Sequence, residues 1–331
     1  MKRIVLFFVM IAAVSSAATF ADEKPLIVST IRPIQALTVA ITGDYAETQQ
    51  LIPDYASPHH YSLKPSEVRL LNKADLVIRI DDHLETFLEK SLGDIAPEKL
   101  VTLSSIKTLT LLSAEHHDHD ETHEEESHEE HAHEEHAHED EHHHDEEHDE
   151  SELDKESTDY HLWLSPKNAE LMAEYIRDRV IAVDPTNEAT YTSNTQALIA
   201  AIKQSEEEIQ KTLSTVKDTP FLVMHDAWQY FTNYFQLKQL DSITLQERLK
   251  PSAKAIREAR QTIADSNVRC IVTERGFKLK TLRVLTEDMP VNTTEIDPMG
   301  RHITLSEQAY PALLDYTAKQ LVECLSNPVQ D

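Results

Sequence analysis

Glycine is scarce in this chain, with four in 331 residues. That excludes a glycine-rich phosphate loop of the GxGxxG or GxxxxGK type. It also leaves few positions for a flexible hinge. Cysteine is scarcer, with two. Cys270 and Cys324 lie far apart, so neither a thiolate zinc knuckle nor a CxxC redox motif is present. Outside the stretch 115–150, HExxH, a nucleophile elbow and a dinuclear carboxylate cluster are all missing. Positive charge is in deficit: 31 Lys and Arg stand against 59 Asp and Glu, a formal net charge of −28. Such a balance argues against nucleic acid and anionic lipid as partners and is compatible with cation binding. Beyond the N-terminus no apolar run reaches the length of a membrane span.

The N-terminus itself reads as a secretory signal. Lys2 and Arg3 form a basic start, Ile4–Val14 an apolar stretch, and "SSAATFA" a small-residue region with cleavage expected near Ala18 or Ala21. An exported protein is the expectation, with an uncleaved anchor as the alternative. Neither cysteine lies near the signal, so no lipidated N-terminal cysteine is expected. In an oxidising compartment Cys270 and Cys324 would pair with each other. Closing a loop of roughly 54 residues would stabilise the fold by roughly 4 kcal/mol. Two buried free thiols are the other possibility.

Against these absences stands one excess. From Glu115 to Glu150 the chain holds 13 histidines and 19 acidic residues among 36 positions. The histidines are His116, His117, His119, His123, His128, His131, His133, His136, His138, His142, His143, His144 and His148. Such a segment cannot bury enough apolar surface to offset its ordering entropy, so a disordered surface insertion is expected over 115–158. Neutral imidazoles and carboxylates together offer fluctuating metal sites, weaker than a preformed one because binding must order the chain. The insertion could collect zinc, sense it, or bind it only incidentally.

On either side of the run, strand-like and helix-like segments alternate. Short apolar runs at 26–31, 74–80, 99–103, 221–226 and 268–274 read as buried strands. Further strands are expected at 47–52, 236–240 and 291–297. Helical patterns lie between them, with Pro65 and Pro166 suited to first helical positions and Ser165 suited to an N-cap. From Thr186 to Val216 there is no Pro or Gly, enough for a helix about 46 Å long. The last helix is expected to bend or break near Pro311. The alternation predicts an α/β protein of two lobes, each with a parallel sheet flanked by helices, joined by one long rigid connector helix. The expected bounds are signal 1–21, N-terminal lobe 22–184, connector 185–216 and C-terminal lobe 217–331.

Only six histidines lie outside the run: 59, 60, 83, 161, 225 and 302. His59 precedes a helix start, His161 precedes the helix at Ser165, and His225 ends a strand. Glu274 and Asp297 also end strands. Ligand crevices in open α/β sheets lie beyond the carboxyl ends of the strands. Three imidazoles and one oxygen make a tetrahedral zinc site.

The stretches "LIPDYASPHHYSLKPSEVRLLNKADLVI", "HLWLSPKNA", "VMHDAWQYF" and "EIDPMG" give these residues a context. In that order they resemble the motifs of the cluster A-I metal-binding proteins of ABC importers, over nearly the whole mature chain. The resemblance implies that His59, His161 and His225 ligate a metal and that Asp297 provides or supports the fourth position. His60 and Glu274 are the alternatives for the first and fourth ligands. His rather than Glu at 225 implies zinc rather than manganese, in keeping with imidazole chemistry. Cys270 and Cys324 fall where the zinc-carrying members have a disulfide. The expected function is a monomeric solute-binding protein, not an enzyme, that captures Zn²⁺ and delivers it to an inner-membrane ABC permease. The alternatives are a secreted zinc hydrolase and a manganese-binding member of the same family.

Overall fold

The computed structural model describes residues 24–114 and 158–328, apart from 94, 245–250, 276 and 278. The signal expected at 1–21 and all thirteen histidines of the insertion lie outside the described residues.

The first half of the chain builds four strands, β1 (Leu26–Ser29), β2 (Glu47–Gln50), β3 (Leu76–Arg79) and β4 (Leu100–Thr102). All pairings are parallel, in the order β2-β1-β3-β4. Between them run helices α1 (Arg32–Thr42), α2 (Pro65–Lys73) and the single turn α3 (Glu89–Leu92). Helix α1 stops at Gly43, whose φ of 50° lies in the left-handed region and whose N–H caps the carbonyl of Val39. Helix α2 opens on Pro65, and the Glu67 carboxylate accepts from the Lys64 N–H at 2.7 Å, satisfying one orphan donor.

A two-residue antiparallel hairpin follows, β5 (Leu112–Ser113) with β6 (Thr158–Asp159). The insertion leaves and returns through it. Helices α4 (Pro166–Val183) and α5 (Glu188–Leu213) come next. At 26 residues, α5 is about 39 Å long, shorter than expected at both ends: Pro185–Asn187 before it is a 3₁₀ turn, and it stops at Leu213 rather than Val216.

The second half repeats the plan with β7 (Phe221–His225), β8 (Gln239–Thr244), β9 (Cys270–Thr273) and β10 (Asn292–Glu295). Helices α6 (Gln229–Tyr234), α7 (Ala253–Asp265), α8 (Leu279–Thr286) and α9 (Ala309–Ser326) accompany them. The order is β10-β9-β7-β8, again all parallel. Counted within each half, both sheets run second, first, third, fourth.

Side-chain alternation explains how the halves join. Ile27, Leu76 and Ile78 face inward from the first sheet, and Phe221, Val223, Cys270 and Val272 from the second; all enter one continuous core. The intervening residues Val28 and Val77, or Leu222, Met224 and Ile271, face smaller outer cores. Helix α5 supplies Tyr191, Leu198, Ile202, Ile209 and Leu213 to the shared core and packs against α1, α4 and α9. Each such side chain contributes roughly 1.5–3 kcal/mol on burial, so the frame between the lobes is apolar and stiff. Cys270 at the head of β9 is bonded to Cys324 of α9, with Cα atoms 5.7 Å apart. This disulfide pins α9 to the inner face of the second sheet.

Three local expectations are corrected. The strand expected at 236–240 begins at Gln239, because Gln236 sits at φ 55° in a turn. The helical pattern after His83 condenses to a 3₁₀ turn at Thr86–Leu88 and the four residues of α3. Pro311 neither bends nor breaks the last helix. The helix begins at Ala309, so the proline falls in its first turn, where no intrahelical partner for an N–H is needed. Among the described residues no helix is long and apolar enough to cross a membrane.

Candidate metal centre

His59, His161 and His225 come together, two from the first lobe and one from the second. One nitrogen of each lies within 4.8 Å of the other two. Their ring centroids stand 5.1 to 5.5 Å apart, and the Nε2 atoms of His59 and His161 are 3.4 Å apart.

Each arrives by a different local device. His225 is the last residue of β7 and so stands at the carboxyl end of a parallel sheet. His161 is set by its neighbours: its N–H donates to Asp159 at 2.9 Å, and Leu162–Leu164 form a 3₁₀ turn behind it. Ser165 then caps α4, its Oγ accepting from the Asn168 N–H at 3.2 Å. His59 lies in the loop after β2, where the Ser57 Oγ accepts from the His59 N–H at 3.3 Å.

Two of the rings are oriented from behind. His161 Nδ1 meets Asp159 Oδ1 at 2.6 Å, and His225 Nδ1 meets Glu274 Oε1 at 2.9 Å. A carboxylate on one ring nitrogen sets the tautomer and leaves the other nitrogen free to ligate. His59 has no such carboxylate among the described residues. Burial, then the facing rings of His161 and His225, then His60, hold His59 well below the usual imidazole range. That direction favours the neutral form a ligand requires.

Glu274 thus stands behind His225 rather than beside it, and is not a member of the group. Asp297 is not a member either. Its Oδ1 accepts from the Met299 N–H at 3.1 Å, its Oδ2 from the Arg301 N–H at 2.7 Å, and it pairs with the Arg301 guanidinium at 3.5 Å. Each of its oxygens accepts a backbone N–H of its own turn. His60 is exposed, its N–H bonded back to the Ser57 carbonyl at 3.4 Å, and it stays outside the group. His302 is exposed and its ring lies 4.0 Å from that of Tyr316.

Asp159 is the residue sequence reasoning missed. The signal was present as Asp-x-His: an aspartate two residues before a histidine reaches both its N–H and its ring. The same device recurs at Asp81, which accepts from the His83 N–H and stands at 2.8 Å from its ring Nδ1. Among the described residues, Asp81, Asp82 and His83 form a second close group of metal-capable side chains. There His83 Nδ1 is already engaged with both carboxylates, at 2.8 and 3.2 Å.

The lobes meet closely around the histidines. The Trp163 ring lies 5.2 Å from that of His161, and its indole N–H donates to the Pro298 carbonyl at 2.9 Å. The Tyr230 hydroxyl of α6 donates to the Asp159 carbonyl at 2.7 Å and accepts from the Leu112 N–H at 3.0 Å, bracing the hairpin at the insertion's root.

Two parallel α/β lobes on a stiff helical frame, with imidazoles converging where they meet, define a two-lobed binding protein of the solute-receptor kind. The family described as "Zinc-uptake complex component A periplasmic" (ZnuA) matches residues 27–324, and the chain belongs to it. A relative from Haemophilus ducreyi, named high-affinity zinc uptake system protein ZnuA, is 36% identical over 320 residues, covering 96% of this chain and 98% of its own. Among solved structures, a crystal structure of ZnuA superposes with a TM-score of 0.70 at 22% identity, covering 91% of this chain and 99% of that one. The solute-binding protein FpvC of Pseudomonas aeruginosa, in complex with Mn²⁺, reaches the same TM-score at 16% identity, covering 92% and 98%. These two share the fold.

Proposed function

We propose that this chain is a periplasmic solute-binding protein that captures Zn²⁺ through His59, His161 and His225 and hands it to an inner-membrane ABC permease. The observation that carries this reading is the convergence of three imidazoles within 4.8 Å, with no carboxylate in the group. Imidazole ligands suit zinc, whereas manganese prefers carboxylates. The fourth tetrahedral position then falls to water, with Asp297 shaping the adjacent turn instead of ligating.

In this reading the chain is a carrier and no substrate is turned over. It works as a monomer, with cleavage of the signal near Ala18 or Ala21. The lobes span 22–184 and 217–331, and the stretch 185–216 joins them. The histidines of the insertion add weaker sites that raise the local zinc supply. The Cys270–Cys324 bond suits an oxidising compartment.

The experiment is zinc titration of the chain without residues 115–150, alongside the same chain carrying alanine at 59, 161 and 225. The expected result is one tight site in the first and none in the second. Equal retention by both would end the proposal.

A further inference from the structure

We propose that Arg32 is a positioning residue for the metal centre: its guanidinium ties the loop carrying His59 to the C-terminal lobe and so sets the rate at which zinc leaves. This rests on the zinc reading above.

Arg32 opens α1, and its side chain is 14% exposed. All three guanidinium nitrogens are used, each on a different partner. Nε donates to the Gly300 carbonyl at 3.2 Å, and one terminal nitrogen donates to the Ile303 carbonyl. The other terminal nitrogen meets both oxygens of Asp54, at 3.2 and 3.0 Å. Asp54 lies in the His59 loop, five residues before the histidine. A planar fork holds its donors in fixed, spread directions, whereas an ammonium is a compact charge with three rotatable donors.

The far side of the tie is built to receive it. Asp297 accepts from the Met299 and Arg301 N–H groups, and Gly300 sits at φ 62°. A Cβ there would come within 3.2 Å of Leu313. The resulting turn presents the carbonyls of Gly300 and Ile303 to Arg32. The role of Asp297 at the site is therefore indirect, through Arg32.

The near side needs the tie. Asp159 and Glu274 hold His161 and His225 by their rings, while His59 has no carboxylate behind it among the described residues. Its position relative to His225 depends on where its loop sits. Asp54 is 45% exposed, so its ion pair adds little stability by itself. What it supplies is placement across the lobe boundary.

The test uses the full mature chain loaded with zinc and mixed with excess chelator. Tryptophan emission reports the centre, because Trp163 lies 5.2 Å from His161. Arg32→Gln and Asp54→Asn are each expected to speed zinc loss about tenfold, the equivalent of about 1.4 kcal/mol. The double variant is expected to be no faster than the faster single variant, since both break one linkage. Asp54→Asn is expected to leave the metal-free melting temperature unchanged. The proposal is overturned if either single variant releases zinc within about twofold of the parent, or if the two effects multiply, as independent sites would. It is also overturned if faster release occurs only in variants whose metal-free form melts earlier. His59→Ala separates the two readings. If it releases no faster than the parent, the zinc site itself is misassigned. If it does while Arg32→Gln does not, only the tie fails.

Discussion

In the C-terminal lobe, His225 ends a strand buried along its whole length, and Glu274, just past the neighbouring strand, holds its ring. In the N-terminal lobe, His59 sits in a loop beyond the partly exposed edge strand β2, with no carboxylate at its back among the described residues. The two sheets have the same strand order, yet one offers its histidine from a strand end and the other from a loop. A disulfide braces the second lobe, and the first has no cysteine at all. A receptor that must both hold and surrender an ion gains from this asymmetry. One ligand is fixed to the frame, and another is placed by its loop and by what holds that loop.

The largest expected effect breaks the comparison at the fixed ligand. Apparent zinc-site energies of about 10–16 kcal/mol, shared over three imidazoles, amount to about 4 kcal/mol each. His225→Ala should therefore weaken zinc binding at the centre by about a thousandfold, measured by competition with a chelator of known affinity.

Next comes the brace. Replacing Cys270 and Cys324 with serine removes a closure of 54 residues, worth about 4 kcal/mol at most by chain entropy. Thermal unfolding should fall by several degrees, and reductant should do the same to the parent and nothing to the variant.

The supporting carboxylates sharpen the contrast. Asp159→Asn and Glu274→Gln should each cost about 10- to 100-fold in zinc affinity, with isothermal titration as the measure. A loss from Glu274→Gln as large as that from His225→Ala would mean that Glu274 ligates the ion directly.

The first lobe carries its own pH-dependent weakness. Glu85 is fully buried, and burial pushes its carboxyl up to about 7. Its Oε2 accepts from the Ile80 and Asp81 N–H groups, at 2.9 and 3.0 Å. A folded pKa above the unfolded one means that the folded state holds the proton more tightly. The associated stability is complete below the unfolded carboxyl's pKa and is lost as pH rises through about 7. Glu85→Gln should match the parent at about pH 4 and exceed it by about 1–3 kcal/mol at about pH 8, read by urea unfolding at both values.

The smallest effect is expected at the neighbour of the loop-borne ligand. His60→Ala should change affinity by no more than about twofold, since exposed substitutions away from a site rarely exceed about 0.5 kcal/mol. A large loss would transfer the first-ligand role from His59 to His60.

Much of the scaffold could be read directly. The alternation of apolar runs with capped helices marked both parallel sheets, because strand burial and helix caps are local in sequence. Ser165 and Pro166 start α4 where their chemistry places them. Pro311 misled for the same local reason: a proline inside a helical pattern suggests a break, and only the observed start at Ala309 makes it harmless. The strand near 236–240 was displaced because Gln236 turns the chain first. At the centre, the family motifs singled out the three histidines. The partner carboxylates were less visible, since an acid near a histidine can ligate, orient or fold its own turn.

Composition alone determined that this chain would favour cations, carry an acidic histidine-rich insertion and lack phosphate loops and thiolate metal knots. Local pattern alone determined that it would alternate strand and helix in two halves around a long helix. The tertiary structure decided the division of labour among carboxylates: Asp159 and Glu274 behind the rings, Asp297 inside its turn, Asp54 on Arg32. Those assignments depend on distances of about 3 Å, and hydrogen bonds weaken steeply once such geometry is lost. Glu274 and Asp54 reach partners 49 and 22 residues away, which no local spacing encodes. Asp159 and Asp297 act on close neighbours in the chain, where spacing permits a contact without choosing between orienting a ring and folding a turn.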